Sequence, residues 1–171
     1  MTRVLGLDLS LTATGYAYTD EVVGTFKPKT RGMQRLRDIR SNLLELAHVA
    51  DVVVLEGYAF ARPNQAHQLG ELGGVIRLEL FERRIPYVEV APAALKKFAT
   101  GKGNAPKDAM IAAAIRRFGF EGSDNNEADA WMLRCMGLTY YAPTADAIPG
   151  YQLEALGKVT WPKLDIVERV G

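Results

Sequence analysis

Apolar and polar positions alternate between two periods along the chain, and the switches between them mark out the elements. Val4 to Leu9 is an apolar run with Asp8 near its end, the pattern of a buried strand. Ser10 to Thr14 reads as a turn, Gly15 to Thr19 as a second short strand, and Asp20-Glu21 as a tight turn into a third, Val22 to Lys27. Short strands on short connections predict an antiparallel meander. From Arg31 to Ala50 the period becomes helical, with Met33, Leu36, Ile39, Leu43, Leu46 and Ala47 on one stripe. Asp51 to Glu56, DVVVLE, is apolar on both alternations, which places it inside a sheet.

Gly57 to Pro63 is a loop, and Gln65 to Arg84 reads as a second long helix with Gly70, Gly73 and Gly74 at its middle. Glycine costs roughly 1 kcal/mol in a helix interior, so three of them predict close backbone packing, including packing against another chain. Tyr87 to Val90 is a strand, Ala93 to Ala99 a short helix started by Pro92. Thr100 to Pro106 is a Gly-containing loop, and Lys107 to Phe118 is helical. A last main helix runs from Asp124 or Asn125 to about Tyr140 and is ended by Pro143. The tail to Gly171 has no clear period, which predicts a surface-packed arm or partial disorder. The expected organisation is therefore a domain over residues 1–142 and an arm over 143–171. Its fold is α/β: a mixed sheet of three antiparallel strands followed by parallel ones, with helices on both faces.

Composition narrows the class. A chain of 171 residues with 48% hydrophobic and 24% charged residues is long enough to bury a core without staples. Its single cysteine, Cys135, excludes a disulfide framework or a zinc cluster within one chain and suits a reducing compartment. No apolar run approaches the ~20 residues of a membrane span, and the N-terminus lacks the order of a signal peptide. A cytoplasmic protein with no membrane partner is expected.

Net charge is +1, but its distribution is uneven: Lys27 to Arg40 sums to +5 and Arg83 to Arg117 to +6, which leaves −10 for the rest. Separated basic and acidic surfaces suit an anionic partner. Asp8 and Glu56 each end an apolar strand, and Asp129 lies in the first turns of the last helix between Ala128 and Ala130. The first and fourth strands are neighbours in the expected topology, so Asp8 and Glu56 project from one end of the sheet. Carboxylates gathered there repel one another, and a hard divalent cation with open positions for phosphate oxygens is the usual compensation.

The segment GLDLSLTATGYA, residues 6–17, resembles the first-strand signature of RuvC-type Holliday junction resolvases, within the RNase H-like superfamily. LEGYAF (55–60) is similar to that family's second acidic motif, NEADAW (126–131) to its third, and LKKFATGKGNAPKDAM (95–110) to its basic segment. The likeness covers roughly residues 3 to 140, and the brevity and the NEAD form resemble phage-encoded members, which places the protein in the cytoplasm of a bacterial host. It implies a metal-dependent endonuclease that acts as a homodimer on four-way DNA and nicks two strands symmetrically, leaving 5′-phosphate ends. The implied cofactor is Mg2+ or Mn2+, two ions per site. Asp8, Glu56 and Asp129 would be metal ligands, Lys107 would sit near the scissile phosphate, and Lys96 would contact the backbone. Lys97, Lys102, Arg62 and Arg35 join the implied DNA-binding set, and Tyr58 and Phe60 lie where the family stacks an aromatic on junction bases.

One departure stands out. The family's fourth acidic residue falls at Asn126, and Glu127 is two positions before Asp129, about 200° around a helix from it. Asp124-x-x-Glu127 also reads as a capping box. Glu127 is taken as the fourth ligand, with Asn126 the neutral alternative. Three other readings remain open at this point: a broader fork, flap or RNA–DNA hybrid nuclease, an inactive junction-binding module, and an actin-like nucleotide binder suggested by the same GLDLSLTATG loop.

Overall fold

The computed structural model describes residues 2–57, 63–145 and 147–164, with 63–69 as backbone alone. In chain order its elements are β1 (Val4–Asp8), β2 (Thr14–Ala17), β3 (Val23–Phe26), α1 (Gly32–Ala47), β4 (Val52–Glu56), α2 (Pro63–Glu82), β5 (Tyr87–Val90), α3 (Pro92–Thr100), α4 (Lys107–Phe118), α5 (Asn125–Tyr141) and α6 (Gly150–Leu156). Strand ends fall a residue or two short of the apolar runs, the ordinary uncertainty of element boundaries.

The five strands form one mixed sheet in the order β3-β2-β1-β4-β5. β1 pairs antiparallel with β2 and β2 with β3, while β1–β4 and β4–β5 are parallel. The meander and the parallel extension are both as the pattern predicts. The turn after β1 is held by its own hydroxyls: Thr14 Oγ1 donates to the Ser10 carbonyl at 2.6 Å, and Ser10 Oγ accepts from the Thr12 and Ala13 amides. That compact turn lets β2 reverse immediately beyond Asp8.

Alternation assigns the two faces. Leu5, Leu7, Val53 and Leu55 point to one side, where Leu36, Ile39 and Leu43 of α1 and Leu72, Ile76 and Leu80 of α2 cover them. Val4, Val52, Val54, Val88 and Val90 point to the other, under α3, α4 and α5. This is why β4 carries no polar alternation until Glu56. Met33 departs from the expected stripe of α1: it is 70% exposed. Among the described residues Gly70 and Gly74 do not serve close packing, since a Cβ on either would meet none of them within 4 Å.

The helix α5 approaches the sheet through missing side chains. A Cβ on Gly6 would lie 2.1 Å from the Ala130 carbonyl oxygen, and one on Gly15 would lie 2.1 Å from that of Asn126. The described part of the segment after Pro143, which has no readable period, folds back on the domain. α6 packs on α3, and Ala155 and Leu156 enter the same core as Phe98 and Ala99. Trp161 stacks on Tyr140 with centroids 4.5 Å apart and donates its indole N–H to the Leu156 carbonyl. Among the described residues no helix is long and apolar enough to cross a membrane.

Candidate active site

The strand register puts the acidic residues in line. Asp8 pairs with Gly15, Gly15 with Thr25, and Glu56 with Val90, while Leu7 pairs with Leu55 one step before. Thr25, Gly15, Asp8, Glu56 and Val90 therefore form one row across the C-terminal edge of the parallel strands. Asp8 continues the Val4–Gly6 alternation and Glu56 the Val52–Val54 alternation, so both side chains rise on the face that α5 covers. The contact of α5 with Gly6 and Gly15 then brings Asp129, between buried Ala128 and Ala130, over the same edge. Sequence reasoning gives no role to Gly6 and Gly15; the available signal is a glycine inside a strand, which marks close backbone approach.

Electrostatics confirm that the three carboxyls share one space. Burial, then the Glu56 and Asp129 charges, push Asp8 well above the usual carboxylate range. Burial, then Asp129, raises Glu56 to about 7, against the pull of Lys96 and Lys107 and of a hydrogen bond with Asp8. Burial raises Asp129 to about 6, again against Lys107 and Lys96. Two lysines from elements following β5 thus face three carboxyls from β1, β4 and α5. Lys96 is half-buried on α3, and Lys107 is exposed at the first position of α4.

The other expected site residues are dispersed. Glu127 does not join the group. Its side chain accepts a hydrogen bond from Thr25 Oγ1 at 3.3 Å, and it is not among the charges that shift Asp8, Glu56 or Asp129. The rotation between positions 127 and 129 is the reason: α5 is regular from Asn125, so Glu127 faces β3. Asn126 is engaged locally, its side chain bonding Asp124, whose carboxylate caps α5 by accepting from the amides of Asn126 at 2.8 Å and Glu127 at 3.3 Å. Lys97 is ion-paired with Glu154 of α6. Arg35 donates from Nε to the Thr30 carbonyl at 3.0 Å. Lys102 is exposed in the loop between α3 and α4. Tyr58, Phe60 and Arg62 lie outside the described residues.

The donor set suits a hard divalent cation. All three groups are carboxyls, they are crowded enough to hold protons near neutrality, and a cation of higher charge than lysine removes that conflict. Among the described residues no three acidic, histidine or cysteine side chains stand together closely enough to hold a metal ion by themselves. An open set of this kind fits magnesium, which keeps several waters and takes one or two carboxylates together with substrate phosphates.

Comparison with known proteins gives a consistent picture. The family model described as "Crossover junction endodeoxyribonuclease RuvC" matches residues 4–130. The protein of that name from Gloeobacter violaceus is 29% identical over 169 residues, covering 88% of this chain and 97% of its own. Its counterpart from Rhodopirellula baltica is 32% identical over 118 residues, covering 61% and 66%. Among solved structures, Thermus thermophilus RuvC in complex with a Holliday junction substrate superposes with a TM-score of 0.69 at 20% identity, covering 84% of this chain and 96% of its own. A Fowlpox virus resolvase complexed with Holliday junction DNA gives a TM-score of 0.57 at 14% identity, covering 82% and 99%.

Proposed function

The chain belongs to the RuvC family of crossover junction endodeoxyribonucleases, and from that premise we propose that Asp8, Glu56 and Asp129 are its metal-binding catalytic carboxylates, with Lys107 and Lys96 on the phosphate. The activity is that of the family, endonucleolytic resolution of Holliday junctions. The observation that carries the assignment is the convergence of three mutually perturbing carboxyls and two lysines at one sheet edge.

The family is divalent-metal dependent; in our reading the ion is Mg2+ or Mn2+, two per site. Bound there, such ions supply Lewis-acid stabilisation at the attacking and leaving oxygens of the phosphodiester. The protein's part is placement. β1 and β4 hold Asp8 and Glu56 side by side on strands buried on both faces, so the ligands have little freedom to retreat. The glycine-mediated contact of α5 fixes the height of Asp129. Lys107, at the N-terminus of α4, meets a phosphate where the helix dipole also favours an anion. Lys96 adds a second cation from α3. Glu127 is left out of the ligand set because it faces β3, away from the three carboxyls.

Residues 1–142 form the nuclease domain in this reading, and 143–171 an arm whose helix α6 packs on α3. The active species is a homodimer that nicks two strands symmetrically. Its support is a stripe on α2 at helical spacing, Gly70, Gly74, Leu78 and Phe81, whose last two members are 58% and 73% exposed.

The test is cleavage of an end-labelled four-way junction with Mg2+ or Mn2+, beside linear duplex, flap and RNA–DNA hybrid. Paired nicks on the junction are expected, and Asp8→Asn is expected to abolish them while still binding. Wild-type cleavage rates in Asp8→Asn would remove the assigned site. Equal cutting of flaps would widen the substrate class without moving it.

A further inference from the structure

We propose that Lys27, Lys29 and Arg31 form a second phosphate-binding ridge, which holds a duplex arm of the DNA beside the carboxylates where the chain leaves β3. The inference rests on the nuclease reading above and extends it to residues outside that site.

The strand register carries it. β3 runs parallel to β1 two strands away and is level with it at Thr25, so the chain leaves β3 at the same edge from which Asp8 and Glu56 project. Lys27 is two residues beyond that row. At a strand spacing of about 4.8 Å, β3 stands roughly 10 Å from β1 and 14 Å from β4. Lys96 and Lys107 act on the carboxyls from α3 and α4, which follow β5, the opposite edge strand, and pack with α5 on the sheet face. The ridge at the end of β3 is therefore a second set of cations, separate in the fold from the lysines of α3 and α4. The major-groove width of B-DNA, about 12 Å, is of the same size as the offset. A duplex with one strand at the carboxyls can present phosphates of its other strand to the ridge.

The local chemistry separates these residues from the rest of the basic run. Arg40 is paired with Glu79 at 3.6 Å, Arg35 is tied to the Thr30 carbonyl, and Arg37 stands inside α1 at 3.9 Å from Asp38. Lys27, Lys29 and Arg31 are all exposed, and no ion pair holds any of them among the described residues. The segment that presents them is built rather than loose. Thr30 Oγ1 donates to Asp38 at 2.7 Å, Gln34 Nε2 donates to the same carboxylate at 2.7 Å, and Gly32 takes a φ of 56° to turn the chain into α1. Three unpaired like charges within five residues repel one another, and a polyanion relieves that repulsion.

The experiment is the salt dependence of junction and linear-duplex binding, measured in the Asp8→Asn background across roughly 50–300 mM salt. Each lost phosphate contact lowers the slope of log K against log salt by about 0.9. The combined Lys27→Ala, Lys29→Ala, Arg31→Ala variant is expected to lower it by about 2–3 and to weaken binding at least about tenfold at 0.1 M salt. Lys27→Arg with Lys29→Arg is expected to keep the slope, and so is Arg37→Ala with Arg40→Ala. An unchanged slope in the triple variant overturns the ridge. So does an equal fall in the Arg37, Arg40 control, which would make the effect one of net charge. If the wild-type chain cuts the junction normally in either case, the nuclease reading stands and the ridge alone is lost; if it neither binds nor cuts a junction, both fall.

Discussion

At the scale of single residues, the site is held in a costly state until it meets a cation. Glu56 is raised to about 7 and Asp129 to about 6, both above their ordinary carboxyl values, first by burial. The folded chain therefore binds protons more tightly than the unfolded chain. The stability these groups contribute is fully present below about pH 4 and is lost as pH rises through 6 to 7. A rise of the size seen at Glu56 corresponds to a cost on the order of 3 kcal/mol at alkaline pH. Asp8→Asn removes one charge from the crowd. In chelator, its melting temperature is expected to exceed the wild-type value by several degrees at pH 8 and by much less at pH 5, with saturating Mg2+ narrowing the gap. A variant that melts below wild type at pH 8 in chelator contradicts the crowding argument. Asp8, Glu56 and Asp129 were legible because each ends or opens an apolar element where a charge has no packing reason to be. Glu127 stands apart from them for a geometric reason: two positions along a helix is most of the way to its opposite face, and the Thr25 hydroxyl that donates to it comes from a strand a hundred residues earlier.

Elements, not residues, set the distance between those carboxyls. α5 lies on β1 and β2 with no room for a methyl group at Gly6 or Gly15. Gly15→Ala forces a Cβ onto the Asn126 carbonyl, and backbone cannot swing aside as a side chain can. The expected cost is about 1–3 kcal/mol by denaturant unfolding, with cleavage falling further than stability does because Asp129 is lifted from Asp8. Retention of full activity at wild-type stability would show that α5 is free to shift. The arm is the opposite case, an element invisible in the hydrophobic pattern. α6 has seven residues, too few turns to reveal a period. Its attachment depends on partners far along the chain: Lys97 with Glu154, Tyr141 O–H with the Pro162 carbonyl at 2.7 Å, Trp161 on Tyr140. Trp161→Ala removes the stack and the indole bond to Leu156, and a loss of about 2–3 kcal/mol is expected. A change under 0.5 kcal/mol would mean the arm adds nothing to the fold.

For the whole molecule, topology was legible because connection length leaves little choice. Five-residue connections force the antiparallel β1-β2-β3 meander, and helical crossovers force β4 and β5 to run parallel beside β1. Those rules place the acidic strand ends together without any knowledge of side-chain packing. They say nothing about which outer face meets a second chain, because an exposed apolar residue and a buried one look alike in sequence. Only the solved positions of Leu78 and Phe81, exposed on α2 and aligned with Gly70 and Gly74, separate them from Leu72, Ile76 and Leu80 beneath. Resolution of a four-way junction needs two cuts on opposing strands, and one site cannot reach both without dissociating. Phe81→Glu places a charge at the centre of the proposed contact and leaves the core untouched. The expected outcome is a halved mass by light scattering, with linear products giving way to singly nicked junctions on a supercoiled cruciform plasmid. A monomeric variant that still linearises the plasmid in one encounter would break the link between the α2 stripe and paired cutting; a variant that stays dimeric would place the interface elsewhere on the surface.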